Sequence, residues 1–343
     1  MHSLYRKYRP QTFADVVGQA HVVDTLNAAI QTKKPAHAYL FSGGRGIGKT
    51  SLARIFARAL GVSEKDLYEI DAASNNGVDE IRALREGAML LPLESAFKVY
   101  VLDEVHMLSK GAFNALLKIL EEPPQHVIFI LATTDIHKVP DTIISRCEVH
   151  TLHRPTRTLL AQVVQRICAA EAVVIEPDAA LTLAELGDGS FRDTLSLLQQ
   201  VMTATGGKGI TDDEVARVCG AAPLSLIEDI ITAWAQKDAK TVLAAIHRAI
   251  ENGTNIDMLY TRTLEIVRAI VLFRITKNVD MINAYAPHTQ SFIQTCATES
   301  KGAHINSAAL KSLLQYAAEV KRAPHPHMLL ELAILETCSP QEA

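Results

Sequence analysis

The chain has 343 residues, of which 48% are hydrophobic and 21% charged, and its formal net charge is −4. This length predicts two or three domains, and the composition excludes a disordered chain and indicates a soluble globular protein. The charge excludes a surface coated in positive charge, so any contact with nucleic acid must be confined to one basic face. Because no apolar run follows the N-terminal residues or is long enough to span a bilayer, we expect no signal peptide, no membrane span and a cytoplasmic location.

The N-terminal residues 5–10, Tyr-Arg-Lys-Tyr-Arg-Pro, are dense in cations and aromatic rings. One interpretation is a solvated arm. The other is an arm that packs beside a ligand bound further along the chain, with Arg9 close to it. In that case a pocket for a nucleotide base would be lined by Tyr8, Pro10, Val16 and Val17. Spacing alone favours neither interpretation.

The segment 43–51, Gly-Gly-Arg-Gly-Ile-Gly-Lys-Thr-Ser, follows the apolar run 38–41 and precedes a helical pattern that begins at Leu52. Strand, glycine-rich turn and helix in this order are the context of a P-loop, whose backbone N–H groups surround phosphates. Lys49 is expected to reach the β- and γ-phosphates and Thr50 to hold Mg²⁺. The motif therefore predicts binding of a nucleoside triphosphate, ATP, through Gly44, Gly46, Ile47, Gly48, Lys49, Thr50 and Ser51.

An apolar strand predicted at 97–102 ends in Asp103-Glu104, which is the Walker B pattern. Asp103 is expected to hold Mg²⁺, and Glu104 to orient and deprotonate the attacking water. Another buried strand, predicted at 127–132, ends in Thr133-Thr134, and a hydroxyl at that position can report the γ-phosphate.

Strands that alternate with helices up to His150 predict a parallel α/β sheet, whose ligands bind at the carboxyl ends of the strands. Helices are predicted at 78–89 and 110–121, the second because Pro123-Pro124 must end it. The P-loop, Asp103-Glu104 and Thr133-Thr134 all follow strands, and we therefore expect them at one edge of this sheet.

Beyond His150 the pattern is helical, with no further strong strand. Helices are predicted at 158–171, 177–186 and 191–200, with Ser190 as an N-cap, and another begins near Thr211. From 224 to 335 the period remains helical, with breaks near Gly253, Pro287, Gly302 and Pro324. No CxxC pair occurs among the five cysteines, so we expect no zinc site and no metal besides Mg²⁺.

These motifs, together with Asp-Glu-Val-His at 103–106, Ser-Arg-Cys at 145–147 and Gly-Ser-Phe-Arg-Asp at 189–193, resemble the AAA+ clamp-loader ATPases, and most closely the bacterial ones. The resemblance covers the first two-thirds of the chain strongly and the helical remainder more weakly. It implies an AAA+ α/β domain at 1–155, a helical lid at 156–220 and a helical, oligomerising collar at 221–343.

The resemblance also implies roles that spacing alone does not indicate. Arg146 would be an arginine finger that acts on the nucleotide of a neighbouring subunit. Arg192 would reach the γ-phosphate of its own subunit, and Thr133 or Thr134 would be the sensor at the strand tip. The implied partners are other clamp-loader subunits, a ring-shaped sliding clamp and primer–template DNA, contacted through its phosphates.

Two features depart from the bacterial pattern. Members of this group usually carry a four-cysteine zinc module between the P-loop helix and the Walker B strand, but no cysteine occurs there. The chain also ends at Ala343 without a long C-terminal tail, which fits a short product, a short relative or a trimmed chain.

The function implied is that of an ATPase motor subunit of a clamp loader, in which ATP binding opens the clamp and hydrolysis releases it on DNA. Two alternatives are an AAA+ ring helicase of the branch-migration type and a scaffold subunit that does not hydrolyse ATP. A helicase usually appends a winged DNA-binding domain, whereas this C-terminal part is helical. A scaffold would not need Lys49, Asp103 and Glu104.

Overall fold

The computed structural model describes residues 3–283, 285–298, 304–320 and 322–338. The chain divides into two compact units. The first comprises Met1–Thr156 and Gly189–Asp193, and the second Arg157–Asp188 and Thr194–Ala343. The chain therefore passes from one unit to the other near residues 156, 188 and 193.

A five-stranded sheet forms the centre of the first unit, and all of its neighbouring strands are parallel. The strands are β1 (Ala38–Ser42), β2 (Leu67–Asp71), β3 (Lys98–Asp103), β4 (Val127–Thr133) and β5 (Glu148–Thr151). Their order across the sheet is β2-β3-β4-β1-β5. All residues of β1 and β4 are buried, as their continuous apolar sequences require for strands covered on both faces. The predicted parallel α/β sheet is thus confirmed.

The first unit also contains helices, and those that follow β1 connect successive strands of the sheet. The helices are α1 (Leu4–Lys7), α2 (Ala20–Gln31), α3 (Lys49–Ala59), α4 (Val78–Met89), α5 (Lys110–Glu121) and α6 (Asp141–Ile144). Short 3₁₀ helices cover Phe13–Asp15, Val105–Met107 and Ile136–Lys138. Helix α5 begins where the Ser109 hydroxyl accepts a hydrogen bond from Ala112 N–H at 3.2 Å.

Strand β5 was not predicted; the expectation of no further strong strand concerned the chain beyond His150, where β5 adds only Thr151. Its sequence, Glu-Val-His-Thr, has no apolar run, and only His150 is buried. The strand lies at the edge of the sheet and pairs with β1 alone, in the register Tyr39 to Glu148. Pairing with a fully buried neighbour therefore stabilises a segment whose own pattern is weak.

A carboxylate pins the segment that follows α4. Asp66 is fully buried and accepts hydrogen bonds from the backbone N–H groups of Leu93, Glu94 and Ser95 at 2.6, 2.9 and 2.8 Å. Burial alone raises the pKa of Asp66, but these hydrogen bonds outweigh it and lower the pKa to about 2. Asp66 therefore fixes the connection between α4 and β3.

The second unit is helical within its described residues. Its helices are α7 (Arg157–Ala170), α8 (Pro177–Leu186), α10 (Asp212–Cys219), α11 (Leu224–Ala235), α12 (Ala239–Glu251), α13 (Ile256–Thr276), α14 (Pro287–Thr298), α15 (Ser307–Tyr316) and α16 (Pro326–Cys338). Helix α9 (Phe191–Thr205) begins in the first unit and continues into the second. The predicted breaks near Gly253 and Pro287 are present, whereas Gly302 lies outside the described residues.

A large apolar core joins the C-terminal helices, and it includes the single tryptophan of the chain. Trp234 is 1% exposed, and its indole N–H donates to the Thr337 hydroxyl at 2.7 Å. Among the described residues, no single helix has the length and apolar composition of a membrane span; only the pair α10 and α11, bent by 99°, meets both criteria when taken together.

Two ion pairs, one largely buried and one partly exposed, connect α13 to the helices that precede the C-terminal core. Arg262 lies 3.3 Å from Glu185, donates to the Thr182 hydroxyl at 3.0 Å and donates to the Ala222 carbonyl. Arg157 makes a bidentate pair with Glu265, with both bonds at 2.7 Å. The segment 157–220 and the C-terminal helices therefore share one polar network.

Candidate active site

The P-loop connects β1 to α3 at the carboxyl edge of the sheet. Three of its glycines, Gly43, Gly46 and Gly48, have φ angles of 143°, 69° and 106°, which side chains other than glycine rarely adopt. At Gly46 a Cβ atom would also lie 2.0 Å from the Ser190 Oγ. The loop therefore requires glycine both for its backbone conformation and for the approach of the segment 189–193.

Lys49 is the first residue of α3, and its side chain is folded back under the loop. Its Nζ donates to the carbonyls of Gly43 and Gly44, both at 2.8 Å, and the residue is 5% exposed. Burial lowers the pKa of Lys49, while Glu104 and Asp103 act in the opposite direction. Phosphates enclosed by the loop would therefore replace these two carbonyls as partners of the Lys49 ammonium.

The adjacent residues Thr50 and Ser51 contact two other parts of the site. The Thr50 hydroxyl donates to Asp103 Oδ2 at 2.7 Å. The Ser51 hydroxyl accepts from Arg9 Nε at 2.8 Å. Burial lowers the pKa of Arg9, and the nearby Arg54 adds to this effect. The P-loop helix therefore meets both the Walker B strand and the N-terminal arm.

Glu104 follows β3 in a left-handed conformation, with φ 50° and ψ 44°, which is uncommon outside glycine. Its backbone N–H donates to Asp103 Oδ1 at 3.0 Å. One carboxylate oxygen, Oε2, accepts from the Thr134 N–H at 3.2 Å and from the Thr134 hydroxyl at 2.8 Å. The tips of β3 and β4 thus hold this carboxylate together.

The two threonines at the tip of β4 differ in their surroundings. Thr133 is fully buried; its hydroxyl donates to the Asp135 carbonyl and accepts from the Asp135 N–H, both at 3.0 Å. The Thr134 side chain is only partly buried and reaches Glu104. Of the two hydroxyls, that of Thr134 is the one exposed toward the carboxylate.

The segment 189–193 belongs to the same unit as the P-loop. Ser190 Oγ accepts from the Asp193 N–H at 3.1 Å, so Ser190 is the N-cap of α9 as predicted. The Arg192 N–H approaches the Gly46 carbonyl at 3.4 Å, and its guanidinium lies 5.6 Å from the centre of the Tyr5 ring. Arg192 is exposed beside the P-loop.

The residues predicted to line a base pocket lie on the N-terminal arm and are partly exposed. Val16 packs against the apolar core that contains Ile47, which is itself 2% exposed. Tyr8 lies 5.3 Å from the Lys7 ammonium, and Pro10 and Val17 are half-buried. Of the four, only Val16 is joined to the P-loop through a shared core.

Arg146 lies away from these residues. It follows α6, donates to the Thr142 carbonyl and to Glu121 Oε1, both at 2.8 Å, and borders a groove with Ala36 and Glu148. Residues 36–38 lead into the start of β1, whereas the P-loop follows the end of β1. A strand of this length separates the two ends by about 13 Å. The structure therefore does not bring Arg146 to the P-loop of its own chain.

Two residues near the site received no role from the sequence. His106 lies 3.0 Å from Thr133 and 3.4 Å from Glu104. The Asp-Glu-Val-His pattern contains this residue, but the pattern alone gave it no role. Arg154 approaches Gly44 and Gly189, where added Cβ atoms would lie 3.4 Å from its side chain. No pattern around Arg154 indicated this position, which depends on how the chain leaves β5.

A P-loop, a strand that ends in Asp-Glu and a sheet of this strand order define a nucleotide-binding protein of the AAA+ class. Family models match the chain in three parts. They describe the DNA polymerase III delta subunit (residues 18–77 and 62–156), the ATPase lid domain of the DNA polymerase III clamp-loader subunit (160–207) and domain III of DNA polymerase III subunits gamma and tau (210–343).

Curated relatives agree with these models. The chain is 33% identical to the DNA polymerase III subunit gamma of Buchnera aphidicola, covering 97% of this chain and 96% of that protein. It is 37% identical to subunit tau of Bacillus subtilis (98% and 63%) and 40% identical to subunit gamma/tau of Mycobacterium tuberculosis (79% and 51%). The chain belongs to the DNA polymerase III gamma/tau subunit family.

The chain covers less than two-thirds of the length of the Bacillus and Mycobacterium relatives. Among solved structures, the RuvB Holliday junction branch migration motor of Thermotoga maritima matches with a TM-score of 0.53 and 23% identity, covering 66% of this chain and 78% of that one. At this identity the likeness concerns the fold.

Proposed function

We propose that this chain is an ATPase motor subunit of a DNA polymerase sliding-clamp loader. One observation carries the proposal: Lys49, Thr50, Asp103 and Glu104 lie together at the carboxyl edge of the sheet, whereas Arg146 lies near its opposite edge. One chain thus carries both halves of a site that two neighbouring subunits would complete.

ATP is the proposed substrate. The backbone N–H groups of the P-loop and Lys49 would bind its phosphates, and Arg192 would approach the γ-phosphate from the segment beside Gly46. The arm residues Tyr8, Pro10, Val16 and Val17 are proposed to surround the base, with Arg9 anchored on Ser51. The shared core of Val16 and Ile47 supports this arrangement.

The Thr50 hydroxyl and the Asp103 carboxylate, 2.7 Å apart, are a pair of hard oxygen donors that fits Mg²⁺. These two residues would hold the ion, which supplies neutralisation of phosphate charge. Glu104 would accept a proton from the attacking water through its carboxylate. Thr134 would sense the γ-phosphate, because the Thr133 hydroxyl is already engaged on both sides by Asp135.

Arg146 is proposed to act on the nucleotide of a neighbouring subunit. In the single chain its guanidinium is paired with Glu121 and remains 34% exposed, so it is accessible to a partner. An arriving γ-phosphate would compete with Glu121 for this guanidinium. A finger of this kind contributes ~10³–10⁵ in rate, because it neutralises charge that develops in the transition state.

The proposed partners are other clamp-loader subunits, a ring-shaped clamp and primer–template DNA, within the cytoplasm. In this proposal residues 1–155 form the AAA+ domain, 156–220 the lid and 221–343 the collar through which subunits assemble. The match of residues 210–343 to domain III of gamma and tau supports the collar.

The test measures ATP hydrolysis by the assembled complex with and without a clamp and primed DNA. We expect stimulation by both ligands, loss of binding and hydrolysis with Lys49→Ala, and retained binding but loss of hydrolysis with Arg146→Ala. A mixture of the two variants should show action across subunits. Turnover that ignores clamp and DNA would refute the proposal, and unchanged turnover with Lys49→Ala would favour a scaffold.

A further inference from the structure

Glu104, the general base proposed above, accepts hydrogen bonds through only one of its two carboxylate oxygens within the described residues. Oε2 of Glu104 accepts two hydrogen bonds from Thr134 and lies 3.4 Å from His106 Nδ1. Within the part of the chain that the structure describes, no residue donates a hydrogen bond to Oε1. The Glu104 side chain is 30% exposed, and Oε1 is the oxygen that these contacts leave available for a water molecule.

The oxygens around His106 Nδ1 favour the tautomer that carries its proton on this nitrogen. A threonine hydroxyl has one proton, and that of Thr133 is directed at the Asp135 carbonyl, 3.0 Å away. With the Thr133 proton so directed, the proton of the His106–Thr133 contact, 3.0 Å long, comes from the imidazole. Nδ1 faces two oxygens, those of Thr133 and Glu104, and both act as acceptors. The hydrogen-bond network thus assigns an N–H group to Nδ1.

We propose that His106 is a positioning residue for the general base. Its Nδ1–H group, oriented by Thr133, faces Oε2 of Glu104 and directs the other oxygen, Oε1, toward the attacking water. The proposal rests on the function proposed above, since it assigns His106 a role in the same reaction.

The side chain is well fixed for this purpose. It lies on the 3₁₀ helix Val105–Met107 directly after the left-handed Glu104, and it is 10% exposed. Thr133, its anchor, is fully buried at the end of β4. His106 therefore links Thr133, at the end of β4, to the Glu104 carboxylate, which follows the neighbouring strand β3.

Three substitutions separate this role from simple packing. His106→Asn keeps an N–H donor near the position of Nδ1, His106→Gln moves it toward the position of Nε2, and His106→Leu keeps apolar volume without a donor. We expect the asparagine variant to retain most of the kcat of the assembled complex. The other two should lower kcat about ten-fold without raising the KM for ATP, since one hydrogen bond to a charged group has about this value.

A second measurement needs no hydrolysis. Nitrogen NMR of the full-length chain, labelled with ¹⁵N-histidine and free of nucleotide, should show a protonated Nδ1 for the resonance that disappears in His106→Asn. Thr133→Val, which removes the acceptor, should change that resonance.

Two results would overturn the proposal: an asparagine variant as slow as the leucine variant, or a wild-type His106 that is protonated at Nε2 alone. If the wild-type complex hydrolyses no ATP, the proposed function fails, and the NMR spectrum still decides whether His106 donates through Nδ1.

Discussion

At the scale of single residues, the site depends on contacts that sequence patterns identify only in part. The P-loop and Asp103-Glu104 have fixed spacings, because the geometry of phosphate binding dictates them. The contact of Thr133 with His106 and that of Thr134 with Glu104 depend on where β3 and β4 end relative to each other. No local pattern carries that register, and the sequence therefore left Thr133 and Thr134 equivalent as sensors.

Gly46→Ala tests the need for space beside the P-loop. We expect loss of nucleotide binding, because the new Cβ would lie 2.0 Å from Ser190 Oγ, which caps α9. The left-handed backbone and the disturbed cap should each cost about 1–2 kcal/mol of stability. Nucleotide titration and thermal unfolding measure the two effects.

Gly61→Ala is the matched control, since Gly61 has a φ of 79° and no atom within 4 Å of an added Cβ. It should lose about 1–2 kcal/mol of stability, the cost of the left-handed backbone alone, and bind nucleotide normally. Equal binding losses in both variants would contradict the steric explanation.

At the scale of helices and strands, prediction succeeded where local signals are strong. Helices α4 and α5 have the predicted bounds, because Ser109 caps the start of α5 and two prolines follow its end. Strand β5 escaped prediction because its stability comes from pairing with β1 rather than from its own residues. The connection after α4 likewise depends on Asp66, which lies more than 20 residues earlier.

Asp66→Asn tests how strongly this carboxylate holds the connection. We expect a loss of about 2 kcal/mol at neutral pH, since an amide accepts fewer of the three N–H bonds and has no charge. The folded pKa of about 2 lies below the usual value of 3.8, so the wild-type advantage is complete above that value and disappears as the pH falls through about 2.

Urea unfolding followed by far-UV circular dichroism at several pH values measures this loss. Asp79→Asn is the control, because its exposed pair with Arg82 contributes less than about 1 kcal/mol. A deficit that persists at the lowest pH would refute the assignment.

At the scale of the whole molecule, composition and motifs predicted an α/β part followed by a helical part, and both are present. The ion pairs within the helical part were not predictable, because their members lie far apart in sequence and resemble solvated charges. These residues are Arg157, Glu185, Arg262 and Glu265. Their pairing appears only once α7, α8 and α13 are packed.

Arg262→Met tests this network. It leaves the Glu185 carboxylate, 16% exposed, without its cation, which should cost about 3–5 kcal/mol at neutral pH. Arg262→Met combined with Glu185→Leu should recover part of the loss. Trp234 fluorescence during urea unfolding measures both, since the chain has one tryptophan.

The pH dependence supplies a further check on this variant. Burial already raises the pKa of Glu185, and Arg262 is the main group that lowers it. Without Arg262 the folded state binds a proton more readily than the unfolded state, so the deficit of the variant should shrink as the pH falls. A loss of stability that does not change with pH would show that lost packing, and not the charge of Glu185, dominates.

The separation of Arg146 from the P-loop along β1 has a consequence for counting. If each complete site needs the P-loop of one copy and the Arg146 guanidinium of the next, an open arc leaves the P-loop at one of its ends without a guanidinium. Such an arc of n identical chains can hydrolyse n − 1 ATP molecules per cycle, whereas a closed ring can hydrolyse n. Stoichiometry of hydrolysis therefore reports whether the assembly has a gap.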